Sequence, residues 1–284
     1  MFNTLIDKLQ NGTYITLETT PSHSPQFSPT IDKIEALGLQ NLVDAFSTTD
    51  NPLAKLKYNA LFAAKMLQER FNKPVLATMS MRDRNKIALQ SDLLGANEVD
   101  VRAILALTGD PATISDQPHV KGVFEADSSL LLEIISAFNS GMNYSGKPFA
   151  HRPKEIFPFA VVNSFARNPK TLQKKMQKKI KNGALGIITQ PVYGLENAKQ
   201  LLEIIENAKE ERSCENKSAE LILGLFPITK LRTAQFLSAH VPGIHVPDIW
   251  IEKLRIANTR SPEEEYKVGF ELSKNPFDDL KQFH

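Results

Sequence analysis

The sequence has a single cysteine among its 284 residues and carries almost balanced charge. One cysteine, Cys214, excludes an internal disulfide and any metal site built from several cysteines, and its polar neighbours predict a surface thiol in a reducing compartment. With 34 basic and 32 acidic residues, the chain lacks the strongly basic field that nucleic-acid binding requires. Disulfide scaffolds and nucleic-acid binders are therefore not expected.

Long apolar runs and clustered histidines are also missing. No stretch is long and apolar enough to cross a bilayer, and the first twelve residues lack the apolar core of a secretion signal. The six histidines are scattered, without zinc-ligand spacing and without a Ser–His–Asp arrangement. We expect a soluble cytoplasmic protein that binds no membrane, and we expect no bound metal and no triad hydrolase.

What the sequence does contain is a regular alternation of short apolar runs and amphipathic helical segments. Strands are predicted at 14–18, 41–46, 74–79, 102–110, 157–163, 185–190 and 220–227. Helices are predicted at 29–38, 53–71, 84–97, 128–141, 169–183, 196–211, 231–240, 247–257 and 261–274. This alternation is typical of a parallel sheet covered by helices.

The length suits a closed (β/α)8 TIM-type barrel, and no linker rich in Pro, Gly or Ser divides the chain. We therefore predict a single barrel domain spanning residues 1–284. The eighth strand is predicted at 280–284 as a short or incomplete element. A doubly wound open sheet is the alternative, but no Gly-rich nucleotide fingerprint follows the first strand.

Polar residues follow the predicted strands, where a TIM barrel carries its active site. The strand ends contribute Glu18, Thr48 to Asn51, Thr78, Ser80, Arg82, Asp83, Thr108 to Asp110, Asn163, Thr189, Gln190 and Thr229. Each has an ordinary explanation as well, because a residue such as Asp110 before Pro111 opens turns readily. Glu18 is harder to explain, since a glutamate closing the strand Ile-Thr-Leu favours neither a turn nor a strand. It is the first candidate for a catalytic group.

A dense basic run lies between Leu172 and Asn182. Most of its lysines are explained by a solvated helix face. Lys175 and Lys179, however, share one face at i, i+4 spacing, so the run also suits contact with an anionic ligand.

Nine segments resemble the methylenetetrahydrofolate reductase family of flavin-dependent barrels, in the right order and over almost the whole chain. The most specific are RDRNKIALQSDLLGA (82–96) and LALTGDP (105–111). The others are ETTP (18–21), VDAFSTTDNP (43–52), VFEADSSLLL (123–132), NYSGKPF (143–149), TQPVY (189–193), GLFPIT (224–229) and VPGIHVP (241–247). The sequence is most similar to the short bacterial form, which also occurs fused to a homocysteine methyltransferase domain.

The resemblance implies that FAD relays hydride to 5,10-methylenetetrahydrofolate, giving 5-methyltetrahydrofolate for methionine biosynthesis. Glu18 falls on the family's catalytic acid, Asp110 on the aspartate beside flavin and pterin, and Gln190 on the glutamine that contacts folate or the nicotinamide donor. The resemblance also implies that the flavin is contacted by Thr49, Thr78, Thr108, Gly109, Asp110, Asn163 and Lys179. The resemblance also implies a homo-oligomer.

Several positions depart from the family pattern. Thr108 replaces a frequent arginine, Thr78 a frequent histidine or glutamine, Met81 a usual cysteine and Ser164 a usual proline. These changes leave an alternative open, namely a folate-binding or methyl-transfer subunit without redox activity. The electron donor is equally open between NADH, NADPH and an iron–sulfur partner protein.

Overall fold

A computed structural model describes residues 1–210, 219–241 and 243–283; the predicted surface thiol Cys214 lies outside them. Seven parallel strands form one sheet in sequential order, which is the arrangement of a TIM-type (β/α) barrel whose closure is incomplete. The strands are β1 (Thr16–Thr19), β2 (Ala45–Thr48), β3 (Val75–Ser80), β4 (Ala103–Leu107), β5 (Phe157–Val162), β6 (Gly186–Pro191) and β7 (Glu220–Gly224). The predicted fold class is confirmed.

Helices connect the strands throughout the described part of the chain. They are α1 (Phe2–Asn11), α2 (Ser28–Ala36), α3 (Ala60–Phe71), α4 (Lys86–Glu98), α5 (Ser128–Asn139), α6 (Pro169–Lys181), α7 (Leu195–Glu210), α8 (Leu231–His240), α9 (Asp248–Asn258) and α10 (Pro262–Phe283). None of the described helices is both long enough and apolar enough to span a membrane.

The chain divides into two compact units. The first contains residues 1–160 and 182–186, and the second contains residues 161–181 and 187–284. In the first unit, the core lies between one face of the sheet and helices α2 to α5, and Phe46, Ala77, Met79 and Ile104 belong to it. This assignment fixes which strand residues face the helices and which face away from them.

In the second unit, one core cluster packs α6 and α7 around strand residues such as Ile187 and Leu221. A second cluster joins Tyr193, Trp250 and Leu254, and the Tyr193 and Trp250 rings meet edge to face at 5.1 Å.

The predicted eighth strand at 280–284 is wrong. Residues 280–283 continue α10, and Leu280 is buried in the first of these two clusters. Only two of the five residues from 280 to 284 are apolar, Leu280 and Phe283, which is too few for a strand that is buried on both faces.

The structure also differs from the sequence-based prediction at helices α1 and α3. Helix α1 was not predicted, although Phe2 and Leu5 bury one face of it and Phe2 stacks on Phe157 with ring centroids 5.1 Å apart. Helix α3 begins at Ala60 rather than at Leu53, because the Asn59 side chain caps it by accepting from two backbone N–H groups, at 2.9 and 3.2 Å. Asparagine is among the favoured residues at such a cap.

Candidate functional site

Glu18 lies on the face of the sheet that points away from the helices. Its neighbour Leu17 packs against the helix-side core, and successive strand residues point to opposite faces. Glu18 therefore shares the other face, called here the inner face, with Thr16. In the parallel register Glu18 is paired with Ser47 of β2, so a hydroxyl residue stands next to the carboxyl.

Hydroxyl side chains continue across the inner face at the carboxyl ends of the strands. In β3, Ala77 and Met79 belong to the helix-side core, so Thr78 and Ser80 point inward, and both are buried. Thr48 pairs with Ala77, and continuing this register sets Thr49 beside Thr78. The first unit thus gathers Glu18, Thr49 and Thr78, as the sequence predicts.

Two of these hydroxyls have unmet hydrogen-bonding capacity. The Oγ1 of Thr49 and the Oγ of Ser80 are buried and have no hydrogen-bond partner within the described residues. Buried polar groups are normally paired, so both atoms are suited to a polar ligand on the inner face. Ser80 was not among the predicted ligand contacts, yet its spacing of two from Thr78 places it on the same face.

The pKa of the Glu18 carboxyl is raised above its ordinary value because the surrounding protein replaces much of its hydration. The side chain nevertheless remains exposed to solvent. A carboxyl on the wall of an opening has both properties, since protein atoms surround it while one side stays accessible. Glu18 can therefore hold a proton and still meet a substrate.

The turn after β4 brings Gly109 against the loop after β3. Gly109 has φ +94°, and a Cβ there would lie 3.0 Å from Cβ of Arg82 and 3.2 Å from Cβ of Ser80. Both the backbone conformation and the close approach demand glycine. This tight turn places Thr108 and Asp110 on either side of it.

We expect Gly109→Ala to lower the free energy of unfolding by about 2–4 kcal/mol, since the strained φ and the packing against Ser80 and Arg82 both oppose a methyl group. Gly183→Ala is the matched control, because Gly183 has φ +90° and a Cβ there would meet no atom within 4 Å. It should cost only the conformational part, about 1–2 kcal/mol. Urea denaturation of both variants measures the difference, and equal losses would contradict the close approach.

Thr108 and Asp110 already hold structural contacts. The Thr108 hydroxyl accepts a hydrogen bond from Ser128 N at 3.2 Å, at the start of α5. The Asp110 carboxylate accepts one from Leu53 N at 2.7 Å. Asp110 is thereby oriented by the loop after β2.

That loop is strained. Asn51, Leu53 and Ala54 all have positive φ, between 45° and 56°, and non-glycine residues rarely adopt such values. Besides the bond to Asp110, the loop receives hydrogen bonds from Arg82 Nη2 to Asn51 O at 3.0 Å and from Ser115 Oγ to Ala54 O at 2.6 Å. Strain maintained by surrounding contacts is common at ligand sites.

A network of ion pairs and hydrogen bonds joins the loop after β2 to the loop after β3 and to α4. The Asp50 carboxylate accepts from Ser80 N at 2.9 Å and from Arg84 Nη1 at 2.5 Å, and Arg84 Nε donates to Asp92 at 2.7 Å. Burial lowers the pKa of Arg84, but its contacts with Asp50 and Asp92 outweigh this and raise it above its ordinary value. Asp50, Arg82 and Asp83 thus mainly hold the loops together. The sequence alone could not distinguish these strand-end residues from those that face a ligand.

The remaining predicted residues belong to the second unit. Gln190 lies half-buried at the end of β6, and the hydroxyl of its neighbour Thr189 accepts from Gly224 N at 2.9 Å. Asn163 directly follows β5, and its side chain contacts Gly243 so closely that a Cβ there would lie 2.3 Å from Asn163 Cγ. Gln190 thus lies within the carboxyl end of β6, and Asn163 directly follows that of β5.

Lys179 does not lie at the carboxyl end of a strand. It lies in the last turn of α6, and a helix of this length puts its last turn more than about 15 Å from its first. Because α6 starts after β5 and ends before β6, Lys179 is on the side of the strand starts. Its contact with a flavin pyrophosphate stays a prediction.

Within the described residues, no group of three or more His, Cys, Asp or Glu side chains could hold a metal ion. The polar groups on the inner face are a carboxyl and several hydroxyls, which suit an organic ligand.

Comparisons with known proteins agree with this architecture. An uncharacterized protein from Clostridium thermocellum, which binds two copies of 5-methyl-5,6,7,8-tetrahydrofolic acid, has a TM-score of 0.57 and 17% identity, covering 98% of this chain and 87% of that chain. DmoA from Hyphomicrobium sulfonivorans has a TM-score of 0.52 and 10% identity, covering 91% and 77%. At such identities the two structures show the shared fold only.

A comparison with curated proteins finds no match. The model of the family described as methylenetetrahydrofolate reductase, however, matches residues 4–282. Because this match covers nearly the whole chain, the protein belongs to the methylenetetrahydrofolate reductase family.

Proposed function

We propose that the protein is an FAD-dependent reductase that converts 5,10-methylenetetrahydrofolate to 5-methyltetrahydrofolate. The observation that carries the proposal is Glu18, a carboxyl on the inner face with a raised pKa and access to solvent. The reaction needs such a proton donor. The solved structure from Clostridium thermocellum, which binds 5-methyltetrahydrofolic acid, supports a folate ligand for this architecture.

The residues of the first unit fit a flavin. The unpaired hydroxyls of Thr49 and Ser80 offer hydrogen bonds, and Gly109 allows the turn after β4 to pack against Ser80 and Arg82. Thr49, Thr78, Thr108, Gly109 and Asp110 would hold FAD there. Contacts of Asn163 and Lys179 with FAD rest on the family resemblance alone. When bound, FAD supplies the hydride transfer that no side chain can perform.

Glu18 would act as the general acid. Opening the five-membered ring of the substrate breaks a carbon–nitrogen bond, and the departing nitrogen must take up a proton as the methylene carbon becomes an iminium. A carboxyl with a raised pKa retains its proton at a pH where an ordinary glutamate has lost it. Glu18 therefore supplies the proton, and solvent access allows it to be protonated again.

Asp110 and Gln190 would bind the substrate. The aminopyrimidine part of a pterin presents N–H donors, which an ionised carboxylate accepts through charge-assisted hydrogen bonds. Leu53 N fixes the orientation of the Asp110 carboxylate, and its negative charge also favours the cationic iminium. Gln190 would contact the folate or the nicotinamide of the donor.

The electron donor in this proposal is NADH or NADPH, bound in turn at the folate site. An iron–sulfur partner protein is the alternative donor. Stopped-flow reduction of the bound flavin by each donor in turn distinguishes them.

The test is spectroscopic. We expect the purified protein to show the visible absorbance of a bound flavin, or to acquire it when FAD is added. We expect NADH or NADPH to bleach this absorbance and 5,10-methylenetetrahydrofolate to restore it. Absence of flavin and failure to take up FAD, with folate still bound, would instead indicate the folate-binding or methyl-transfer subunit.

A further inference from the structure

A cavity of about 400 Å³, called here the amino-end cavity, lies at the amino ends of the first three strands. One face of α1 lines it, including Leu5 and Lys8, and so do residues just before the three strands, including Tyr14, Asp44 and Lys73. All of these residues belong to the first unit. Pockets of this volume hold small molecules, and this one is at the opposite end of the strands from the candidate functional site.

Helix α1 is held against the strand starts near both of its ends. At its first residue, the Phe2 ring stacks on Phe157, and the Arg102 guanidinium lies 4.4 Å from the centroid of the Phe2 ring, within the range of a cation–π contact. Further along the helix, Lys8 Nζ forms an ion pair with the Asp44 carboxylate. The wall that α1 gives to the amino-end cavity is therefore fixed by contacts with the strand starts.

The charged side chains of the amino-end cavity leave one positive charge without a counter-ion. Asp44 neutralises Lys8 through one carboxylate oxygen, while its other oxygen accepts from Ile15 N at 2.9 Å. Lys73 donates only to the backbone carbonyl of Val43 and, within the described residues, forms no ion pair with a carboxylate. Because Lys73 is half-buried, its ammonium group favours an anionic partner.

The lining also offers an unpaired hydroxyl and apolar surface. The Tyr14 hydroxyl is buried and has no hydrogen-bond partner within the described part of the chain. Buried donors are normally paired, and a carboxylate oxygen bound beside it would supply the acceptor. Leu5 and Pro74 are both buried and give the cavity an apolar wall. A matching ligand therefore has one carboxylate on a small apolar body.

We propose that the amino-end cavity binds a small organic monocarboxylate. Its carboxylate pairs with Lys73 and accepts from Tyr14, and its apolar body packs against Leu5 and Pro74. A single negative charge balances the single uncompensated ammonium group of the lining. Tyr14 and Glu18 are four residues apart, about 13 Å along an extended chain, so the cavity is a second site. The proposal is therefore independent of the proposed reaction.

The experiment is isothermal titration calorimetry of the full chain with benzoate, a monocarboxylate on a small apolar ring. We expect saturable binding. Benzamide has the same shape without the charge, and it should bind at least about tenfold more weakly, because a hydrogen bond to a charged group is worth more than one to a neutral group. The proposal is wrong if benzamide binds as tightly as benzoate, or if benzoate shows no saturable binding up to about 10 mM.

Charge variants locate the bound benzoate. Lys73→Met should raise its dissociation constant at least about tenfold, since the ammonium group is lost. Asp44→Asn should lower it, because the amide still accepts from Ile15 N while Lys8 loses its counter-ion and adds a positive charge to the cavity. Lys33→Met, which removes the same charge from the exposed side of α2, is the control and should change nothing. Circular dichroism verifies that every variant is folded. If folded Lys73→Met binds benzoate as the wild type does, the ligand lies elsewhere and the proposal is overturned.

Discussion

Glu18→Gln is expected to abolish folate reduction while the flavin is still bound and still reduced by the nicotinamide donor. Glutamine keeps the shape of the side chain but cannot donate the proton that ring opening needs. Loss of a general acid typically costs about 10²–10⁴-fold in rate. Anaerobic stopped-flow measurement separates the two half-reactions, so the effect should be confined to the reoxidation by 5,10-methylenetetrahydrofolate.

The pH dependence gives a second measure of the same role. The acid is competent below the pKa of Glu18, and the rate of folate reduction should fall as the pH rises through it. Because burial raises this pKa, the fall should occur at a higher pH than for an ordinary glutamate, and Glu18→Gln should lack it. Glu69→Gln, the same change on the exposed side of α3, is the control. An unchanged rate in Glu18→Gln would remove Glu18 from the mechanism.

Asp50→Ala is expected to lower the free energy of unfolding by about 3–5 kcal/mol, the usual cost of removing one partner of a buried ion pair. The change leaves the buried Arg84 guanidinium with Asp92 alone and removes the acceptor of Ser80 N. This is a large share of the about 5–15 kcal/mol of stability that proteins typically have. Denaturant unfolding followed by circular dichroism measures it.

Two comparisons identify the cause. Glu69→Ala removes the exposed pair with Lys65 and should cost less than about 1 kcal/mol. Arg84→Met combined with Asp50→Ala should cost less than the sum of the two single changes, since no buried charge is then left unpaired. Strict additivity would show that Asp50 and Arg84 do not depend on each other.

The seven strands were predictable because each is a short apolar run followed by a helix with clear periodicity. The errors came where tertiary contacts override local pattern. Asn59 caps α3 after the irregular stretch that follows β2, so the helix starts later than its apolar spacing suggests. Residues 280–283 continue α10, and Leu280 packs there into the core of the second unit.

Candidate site residues were partly predictable. Glu18 was identified because it fits neither a strand nor a turn, and the core position of Leu17 then showed which face it occupies. The spacing of residues along the sequence could not reveal the ion pair between Asp50 and Arg84, because this pair joins two different loops. The same limit applies to Asp110, whose hydrogen bond to Leu53 spans 57 positions.

Replacing the three left-handed residues after β2 with glycine would stabilise this loop but would also make its backbone more mobile. Glycine at Asn51, Leu53 or Ala54 would relieve conformations that cost about 1–3 kcal/mol each. The same change would loosen the backbone that orients the Asp110 carboxylate. Thermal tolerance and a fixed orientation of the Asp110 carboxylate therefore place opposite demands on these three positions.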